Sequence, residues 1–260
     1  MSVLAVIPAR YGSTRFPGKP LTPIRGRQMI ERVWRHTSAA DGVDRVVVAT
    51  DDARIADAVK NFGGEAVMTP HTCRNGTERA LAACDALDSD AEIIINVQGD
   101  AVLTPPWVIG AVPVAMRKDP AIEMATPAVK MPPETEAKFR ASKAAGEVGG
   151  TTVVFDRNMQ ALYFSKTVIP FQRNPEAGTP TWQHIGLYGY RIDTLRRLVA
   201  LDPSPLELAE SLEQLRALEN GIPIRIVEVD YRGRSAWSVD APADVDEVLA
   251  IISREGELVP

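Results

Sequence analysis

The stretch Val3-Leu-Ala-Val-Ile7 is apolar throughout, a composition typical of a buried strand. Two similar stretches follow it, Arg45-Val-Val-Val-Ala49 and Glu92-Ile-Ile-Ile-Asn-Val97. Continuous runs rich in Val and Ile, without polar alternation, favour the strands of a parallel sheet that is covered on both faces. Ligands of such sheets bind at the carboxyl ends of the strands, so the residues that follow each run are predicted to face a site.

Helical patterns separate these strands, and apolar residues at helical spacing mark one face of each predicted helix. The alternation of strand and helix predicts right-handed βαβ units and a doubly wound, mixed but mainly parallel α/β sheet. A further helix is predicted within 205–219. The residues that mark the helical faces are Met29, Ile30, Val33 and Trp34; Ile55, Ala58, Val59 and Phe62; Leu81, Cys84 and Leu87; Leu208, Leu212 and Leu215; and Val245, Val248, Leu249 and Ile252.

The domain organisation follows from length and from the irregular middle of the chain. The 260 residues suffice for one large α/β domain or two small ones. Residues 131–150 are mostly small or polar and end in glycine, which breaks the regular pattern of the first half. We therefore predict a single domain over 1–260, with a small inserted subdomain at about 130–192.

Charge and composition exclude several classes of protein. The chain has 29 basic and 34 acidic residues, a formal charge of −5, which argues against a nucleic-acid partner because such binding needs a basic surface. Cys73 and Cys84 are too few for a disulfide framework, and the three histidines lack zinc-ligand spacing. No segment is typical of a signal peptide or a membrane span, so we predict a cytoplasmic protein without a membrane partner.

The loop after the first predicted strand carries the first chemical motif, Pro8-Ala-Arg-Tyr-Gly-Ser-Thr-Arg-Phe-Pro-Gly-Lys-Pro-Leu21. Its glycines let backbone amides approach a polyanion, and its arginines and lysine can neutralise one. The spacing is neither that of a P-loop nor that of a dinucleotide-binding fold. The loop therefore indicates a phosphate site of another kind, with a solvated turn-rich loop as the alternative.

Two aspartates are candidate metal ligands. Asp100 ends the hook Asn96-Val-Gln-Gly-Asp100 after a predicted strand, and Asp240 lies in Ser238-Val-Asp-Ala-Pro242 before the last predicted helix. Carboxylates are the protein ligands that Mg²⁺ prefers. Each residue also has a structural alternative, since Asp100 could serve a turn and Asp240 could be a helix N-cap.

Further motifs occur along the chain: Asn75-Gly-Thr-Glu-Arg79, Leu162-Tyr-Phe-Ser165, His184-Ile-Gly-Leu-Tyr-Gly-Tyr-Arg191, Pro203-Ser-Pro-Leu-Glu207 and Leu212-Glu-Gln-Leu-Arg216. With the loop after the first strand, the Asp100 hook and Asp240, they resemble the 3-deoxy-manno-octulosonate (Kdo) cytidylyltransferases in that family's order, over nearly the whole chain. The resemblance implies a glycosyltransferase-A-like nucleotidyltransferase, active as a homodimer, which uses CTP and magnesium to make CMP-Kdo and pyrophosphate.

The resemblance also implies roles for single residues. The triphosphate of CTP would be held by Arg10, Ser13, Arg15 and Lys19, and the cytidine by Asn75, Gly76, Thr77 and Arg79 with the backbone of Pro8 and Ala9. Asp100 and Asp240 would bind magnesium, and with Arg10 and Lys19 they form the predicted catalytic set. Gln98 would contact both CTP and the acceptor, and the inserted subdomain would bind the acceptor and form the dimer. The remaining predicted acceptor residues are Lys166, His184, Tyr188, Glu213 and Gln214.

The chain departs from the family's pattern only on the acceptor side. Ala101 and Val102 follow Asp100 where the family has Glu and Pro, Lys166 replaces an arginine, and 140–152 is longer and glycine-rich. Lysine keeps the charge but loses the two-pronged donor. The acceptor is therefore left open between Kdo and a small phosphonate such as phosphonoformate, which a related class of enzymes uses. A catalytically inactive CTP-binding regulator is the alternative from a different class of protein.

Overall fold

The computed structural model describes residues 1–12, 15–147, 149–174, 176 and 178–259. Its strands are β1 (Val3–Ala9), β2 (Pro23–Ile24), β3 (Arg27–Gln28), β4 (Arg45–Thr50), β5 (Glu65–Met68), β6 (Ile93–Val97), β7 (Met124–Lys130), β8 (Thr152–Phe155), β9 (Ala161–Ser165), β10 (Trp182–His184), β11 (Leu187–Arg191) and β12 (Ile224–Val229). Its helices are α1 (Met29–Ser38), α2 (Ala53–Asn61), α3 (Gly76–Ala86), α4 (Pro106–Lys118), α5 (Pro133–Ala144), α6 (Ile192–Val199), α7 (Pro205–Glu210), α8 (Gln214–Glu219) and α9 (Ala243–Glu255).

One large sheet organises the chain, in the order β5-β4-β1-β6-β11-β7-β10-β8-β9, with β12 paired to β7. The strands β5, β4, β1 and β6 are all parallel, as the three apolar stretches predict. Between β6 and β7 lies β11, which is antiparallel to both. The prediction of a doubly wound, mixed and mainly parallel α/β sheet is confirmed.

Both faces of the sheet are buried, and the alternation of side chains along β1 shows this directly. Val3, Ala5 and Ile7 point into one hydrophobic cluster, whereas Leu4 and Val6 point into the other. Helices α1, α2, α4 and α9 cover the first cluster, and α3, α6 and α8 cover the second. Within the part of the chain that the structure describes, no helix is long and apolar enough to span a membrane.

The prediction of one helix within 205–219 is wrong. The segment forms two short helices, α7 and α8, because Ser211 at the end of α7 adopts a left-handed backbone with φ of 53°. Leu212 and Leu215 are buried after this corner, but Leu208 is 67% exposed. Leu208 therefore belongs to α7 and Leu215 to α8, with Leu212 in the turn between them, so the three leucines do not form one helical face.

The region predicted as an inserted subdomain contributes α5 and the strands β8, β9, β10 and β11. These strands are hydrogen-bonded into the main sheet, with β10 paired to β7. Strand β11 of the inserted segment pairs with β6, and Leu187 lies opposite Val97 at the carboxyl end of β6. The inserted segment therefore borders the edge of the sheet where a ligand is predicted. Its roles in acceptor binding and in a homodimer stay predictions.

The histidine of α1 makes the stability of the fold depend on pH. Burial, assisted by the nearby Arg32, lowers the pKa of His36 from 6.5 to about 4. The unfolded chain then binds the proton more strongly than the folded chain does. The contribution of neutral His36 to the free energy of unfolding is therefore fully present above pH 6.5 and is lost as the pH falls toward 4. His36→Gln should abolish this loss, which has a slope of up to about 1.4 kcal/mol per pH unit. Urea unfolding of both chains between pH 7 and pH 4.5 measures it, and parallel curves would contradict the assignment.

Candidate active site

A cavity of about 350 Å³ opens at the carboxyl ends of β1 and β6. Its wall consists of the loop after β1, the first turn of α3 with the residues before it, the hook after β6, and Asp240. This is the edge of the sheet where the strand pattern predicts a ligand. The lining residues are Pro8, Ala9, Arg10, Arg15, Lys19, Pro20, Cys73, Arg74, Asn75, Gly76, Arg79, Gln98, Gly99, Asp100 and Asp240.

Two glycines allow the segments of this wall to approach closely. A Cβ atom at Gly99 would lie 2.7 Å from the carbonyl oxygen of Pro8, which no side chain tolerates. A Cβ atom at Gly76 would lie 3.3 Å from Cγ of Pro8. The hook after β6 and the start of α3 therefore both pack on the end of β1, which brings Gln98 and Asp100 beside the basic loop.

Each of the two predicted metal carboxylates is paired with a cation of the basic loop. Nζ of Lys19 donates to Oδ2 of Asp100 at 2.7 Å and to the carbonyl oxygen of Val239 at 2.7 Å. A guanidinium nitrogen of Arg15 donates to Oδ1 of Asp240 at 2.8 Å. These contacts join four predicted site residues that are up to 225 positions apart in sequence.

Asp240 is not the N-cap of α9. That helix begins after Pro242, and the side chain of Asp244 accepts hydrogen bonds from the backbone nitrogens of Asp240 and Ala241 at 2.8 and 2.7 Å. The carboxylate of Asp240 is thereby left for the cavity. The N-cap alternative for this residue is wrong, because Pro242 occupies the cap position and the Asp240 carboxylate accepts from Arg15.

The donor set suits a magnesium ion that is bound together with a nucleotide. Asp100 and Asp240 supply two hard oxygen ligands in one cavity, and Mg²⁺ is usually held by one or two carboxylates with substrate phosphates and water. Over the described ranges there is no group of three or more His, Cys, Asp or Glu side chains that could hold a metal ion alone. The residues therefore fit an ion that shares its ligands with a triphosphate.

The first turn of α3, with Asn75 before it, forms one wall of the cavity. Oδ1 of Asn75 caps the helix by accepting from the backbone nitrogen of Glu78 at 2.8 Å, and the N-terminus of a helix favours anionic groups. Thr77 is buried behind the wall, where Nδ2 of Asn96 donates to its hydroxyl at 3.5 Å. Asn75 and Gly76 line the cavity, whereas Thr77 is buried behind them, and the role of these residues in holding cytidine stays a prediction.

Arg79 lines the cavity, but its guanidinium is already hydrogen-bonded to other residues of the protein. It is 3% exposed, and its terminal nitrogens donate to the Thr69 hydroxyl at 2.7 Å and to Oδ2 of Asp51 at 2.9 Å. Its guanidinium is thus fixed by the ends of β4 and β5. Sequence reasoning missed Asp51 and Thr69, since each is an ordinary polar residue after a strand.

The predicted acceptor residues form a second group on the β11 side of the cavity. Burial lowers the pKa of Lys166, and the nearby carboxylates of Asp240 and Glu210 counteract this shift. Burial, with a further contribution from Lys166, lowers the pKa of His184 to about 3, so His184 is neutral at neutral pH. Nε2 of His184 lies 2.9 Å from the Thr126 hydroxyl, and its ring packs on Tyr188.

Glu213 and Gln214 complete this second group from the corner between α7 and α8. Burial raises the pKa of Glu213, against the effect of a hydrogen bond with Thr77. Nε2 of Gln214 is buried and has no hydrogen-bond partner among the described residues. An unpartnered buried donor is costly unless a ligand satisfies it.

The structure thus brings the predicted residues together in two adjoining groups, with Asp240 in one acting by charge on Lys166 in the other. Arg10 is exposed at the rim, and Ser13 lies outside the described residues. Cys73, Arg74 and Glu210 were missed by sequence reasoning. A cation-lined cavity with two carboxylates, at the switch between parallel and antiparallel strands, defines an α/β protein of the nucleotidyltransferase class.

The chain belongs to the cytidylyltransferase family, whose model matches residues 4–226. It is therefore an enzyme, a CTP-dependent cytidylyltransferase, rather than the regulator considered above.

Named relatives match over the full length. A 3-deoxy-manno-octulosonate cytidylyltransferase of Maricaulis maris is 71% identical over 259 residues, which is 100% of both chains. A protein of the same name from Myxococcus xanthus is 45% identical and covers 97% of both chains. The chain is thus similar from end to end to proteins of that name.

Solved structures agree with the sequence relatives. The structure of a CMP:2-keto-3-deoxy-manno-octonic acid synthetase complexed with CTP is 39% identical, with a TM-score of 0.87 and coverage of 98% of this chain and 100% of that one. A cytidylyltransferase from Leptospira borgpetersenii is 17% identical, with a TM-score of 0.61 and coverage of 98% and 87%. The second likeness shows the fold alone.

Proposed function

We propose that this enzyme transfers CMP from CTP to Kdo and releases pyrophosphate. One observation carries the choice of acceptor: the 71% identity to the Maricaulis maris protein, which extends over the whole of both chains. The cation-lined cavity and the adjoining group around Lys166 support the proposal, because the reaction needs a triphosphate site beside a site for an acid. The departures at Ala101 and Lys166 are then variations within a Kdo enzyme.

The cations that line the cavity act on the triphosphate, namely Arg10, Arg15 and Lys19. Lys19 and Arg15 are already within the cavity, and Arg10 stands at its rim. The acceptor oxygen attacks the α-phosphorus in line while pyrophosphate leaves, so positioning and charge neutralisation do most of the work. On arrival of CTP, the ammonium of Lys19 and the guanidinium of Arg15 exchange carboxylate partners for phosphate oxygens.

Asp100 and Asp240 are the proposed holders of magnesium. An ion held by these two carboxylates would supply positive charge that stabilises the phosphate oxygens and would favour ionisation of the acceptor hydroxyl. The two carboxylates become free for this task when Lys19 and Arg15 turn to the triphosphate. In this proposal the carboxylate–cation pairs keep the charged side chains in place before CTP arrives.

The second group is proposed to bind Kdo. Lys166 offers a positive charge to the carboxylate of the sugar acid. Neutral His184, Tyr188 and the amide of Gln214 offer hydrogen bonds to its hydroxyl groups. The unpartnered amide of Gln214 is the sharpest support for a polar ligand here, since such a buried donor needs an acceptor.

Pyrophosphate release from CTP and Mg²⁺, with Kdo and phosphonoformate tested side by side, examines the proposed acceptor. We expect release with Kdo, with kcat/KM at least about tenfold above that for phosphonoformate, because a site built for a polyhydroxy acid leaves hydrogen-bonding groups unpaired against a small trianion. Release with the phosphonate alone would overturn the proposed acceptor while leaving the cytidylyltransferase chemistry intact.

A further inference from the structure

Glu210, the last residue of α7, grips the end of strand β9. Its Oε2 accepts from the backbone nitrogen of Lys166 at 2.8 Å, and its Oε1 accepts from the Ser165 hydroxyl at 2.7 Å. The Tyr163 hydroxyl lies 3.5 Å from the same Oε1. One carboxylate thus contacts three residues at the end of a strand that is 45 positions away in sequence.

The residue held in this way is the cation of the acceptor group. Lys166 directly follows β9, so its main-chain position is set by the Glu210 contact rather than by the sheet ladder. Its ammonium lies near the carboxylate of Asp240 and acts by charge on His184. A small displacement of the backbone at Lys166 therefore moves the charge relative to both neighbouring groups.

The corner between α7 and α8 carries Glu210 and also two predicted acceptor residues, Glu213 and Gln214. Ser211 turns the chain with φ of 53°, and Glu213 and Gln214 follow at once. An ion pair ties the two sides of the corner together: Nε of Arg216 in α8 donates to Glu207 of α7 at 2.7 Å, and both side chains are nearly buried. Glu210 consequently joins the strand that carries Lys166 to the corner that carries Glu213 and Gln214.

We infer that Glu210 is a positioning residue for the acceptor, which fixes the distance between Lys166 and the Glu213–Gln214 corner. This inference rests on the proposed function of the same site. Glu210 is absent from the lining of the nucleotide cavity, so we expect its replacement to affect mainly the acceptor half of the reaction. A misplacement of about 1 Å in such a group is enough to lower turnover strongly.

Two substitutions separate position from charge. Glu210→Gln keeps an oxygen for the Lys166 amide and turns its amide group to the Ser165 hydroxyl, which can accept, so the geometry is retained. Glu210→Ala removes both contacts. We expect an acceptor KM raised about tenfold or more in Glu210→Ala and about threefold in Glu210→Gln, with the KM for CTP changed less than about twofold in either.

A matched control disturbs β9 at its other end. Oδ1 of Asp156 accepts from the backbone nitrogens of Asn158 and Gln160, both at 2.8 Å, in the hairpin before β9. Asp156→Ala therefore weakens the same strand without touching Lys166. We expect it to leave the acceptor KM within about twofold of the parent chain even if it lowers the unfolding temperature as much as Glu210→Ala does.

The decisive experiment is a double-mutant cycle with Lys166→Met, read as the KM for Kdo and the KM for CTP. If Glu210 acts through Lys166, Glu210→Ala should add less than about twofold to the acceptor KM of Lys166→Met. Full additivity, an equal rise in the KM for CTP, or an unchanged acceptor KM in Glu210→Ala would overturn the inference. A parent chain that transfers no CMP to Kdo would instead overturn the proposed function, and this inference with it.

Discussion

Asp100→Asn should lower kcat/KM for CTP by about 10²–10³-fold while leaving the chain folded. The substitution keeps the shape of the side chain and removes its charge. The variant loses the ion pair with Lys19 and offers magnesium a single neutral oxygen in place of a carboxylate. The loss falls on the transition state, because negative charge builds up on the leaving pyrophosphate there relative to bound CTP.

Pyrophosphate release under saturating acceptor measures this effect, and thermal unfolding checks the fold. Asp57→Asn, at an exposed carboxylate of α2, is the control and should match the parent enzyme. Calorimetric titration of CTP with Mg²⁺ adds a readout that is independent of turnover, and we expect weaker binding of the complex in Asp100→Asn. An unchanged kcat/KM in this variant would remove Asp100 from the mechanism.

Lys19→Met is expected to have an effect of similar size, about 10²–10³-fold in kcat/KM for CTP. The Lys19 side chain is 15% exposed, and its ammonium bridges Asp100 and the backbone beside Asp240. Methionine fills the channel that the lysine stem occupies but cannot neutralise the triphosphate or the leaving pyrophosphate. Both carboxylates of the cavity are then left with less compensating charge.

Stability and catalysis can be separated at this pair, because Lys19→Met leaves Asp100 half-buried without its partner. The double variant Lys19→Met, Asp100→Asn removes both charges and should recover much of any lost stability. It should stay at least as inactive as either single variant. Recovery of activity together with stability would show that the pair is structural, contrary to the mechanism proposed here.

The parallel half of the fold could be predicted because its strands are local features. β1, β4 and β6 are buried on both faces, so each is a short apolar run that can be recognised from its own residues alone. The position of β11 between β6 and β7 could not be predicted, since strand order depends on pairing between distant segments. The corner at Ser211 was missed for a local reason. A left-handed backbone is usually predicted from a glycine, and here the residue that adopts it is a serine.

The site shows the same division. The rule that ligands bind at the carboxyl ends of strands placed the basic loop beside the Asp100 hook, and the ion pair between Lys19 and Asp100 agrees with it. Asp240 was ambiguous because an aspartate before a helix is usually a cap, and only the fold shows that Pro242 occupies the cap position and that the Asp240 carboxylate accepts from Arg15. Asp51 and Glu210 carry no motif of their own, because their importance lies in partners that are far away in sequence.

The transfer itself is tested most directly by following the three phosphorus atoms of CTP by ³¹P NMR in the presence of Mg²⁺ and Kdo. We expect the α-phosphorus to move from a phosphoanhydride to a phosphodiester that contains Kdo, while the β- and γ-phosphorus atoms leave together as pyrophosphate. Appearance of CDP with free phosphate, or an α-phosphorus that stays in CTP or reaches only CMP, would contradict this expectation.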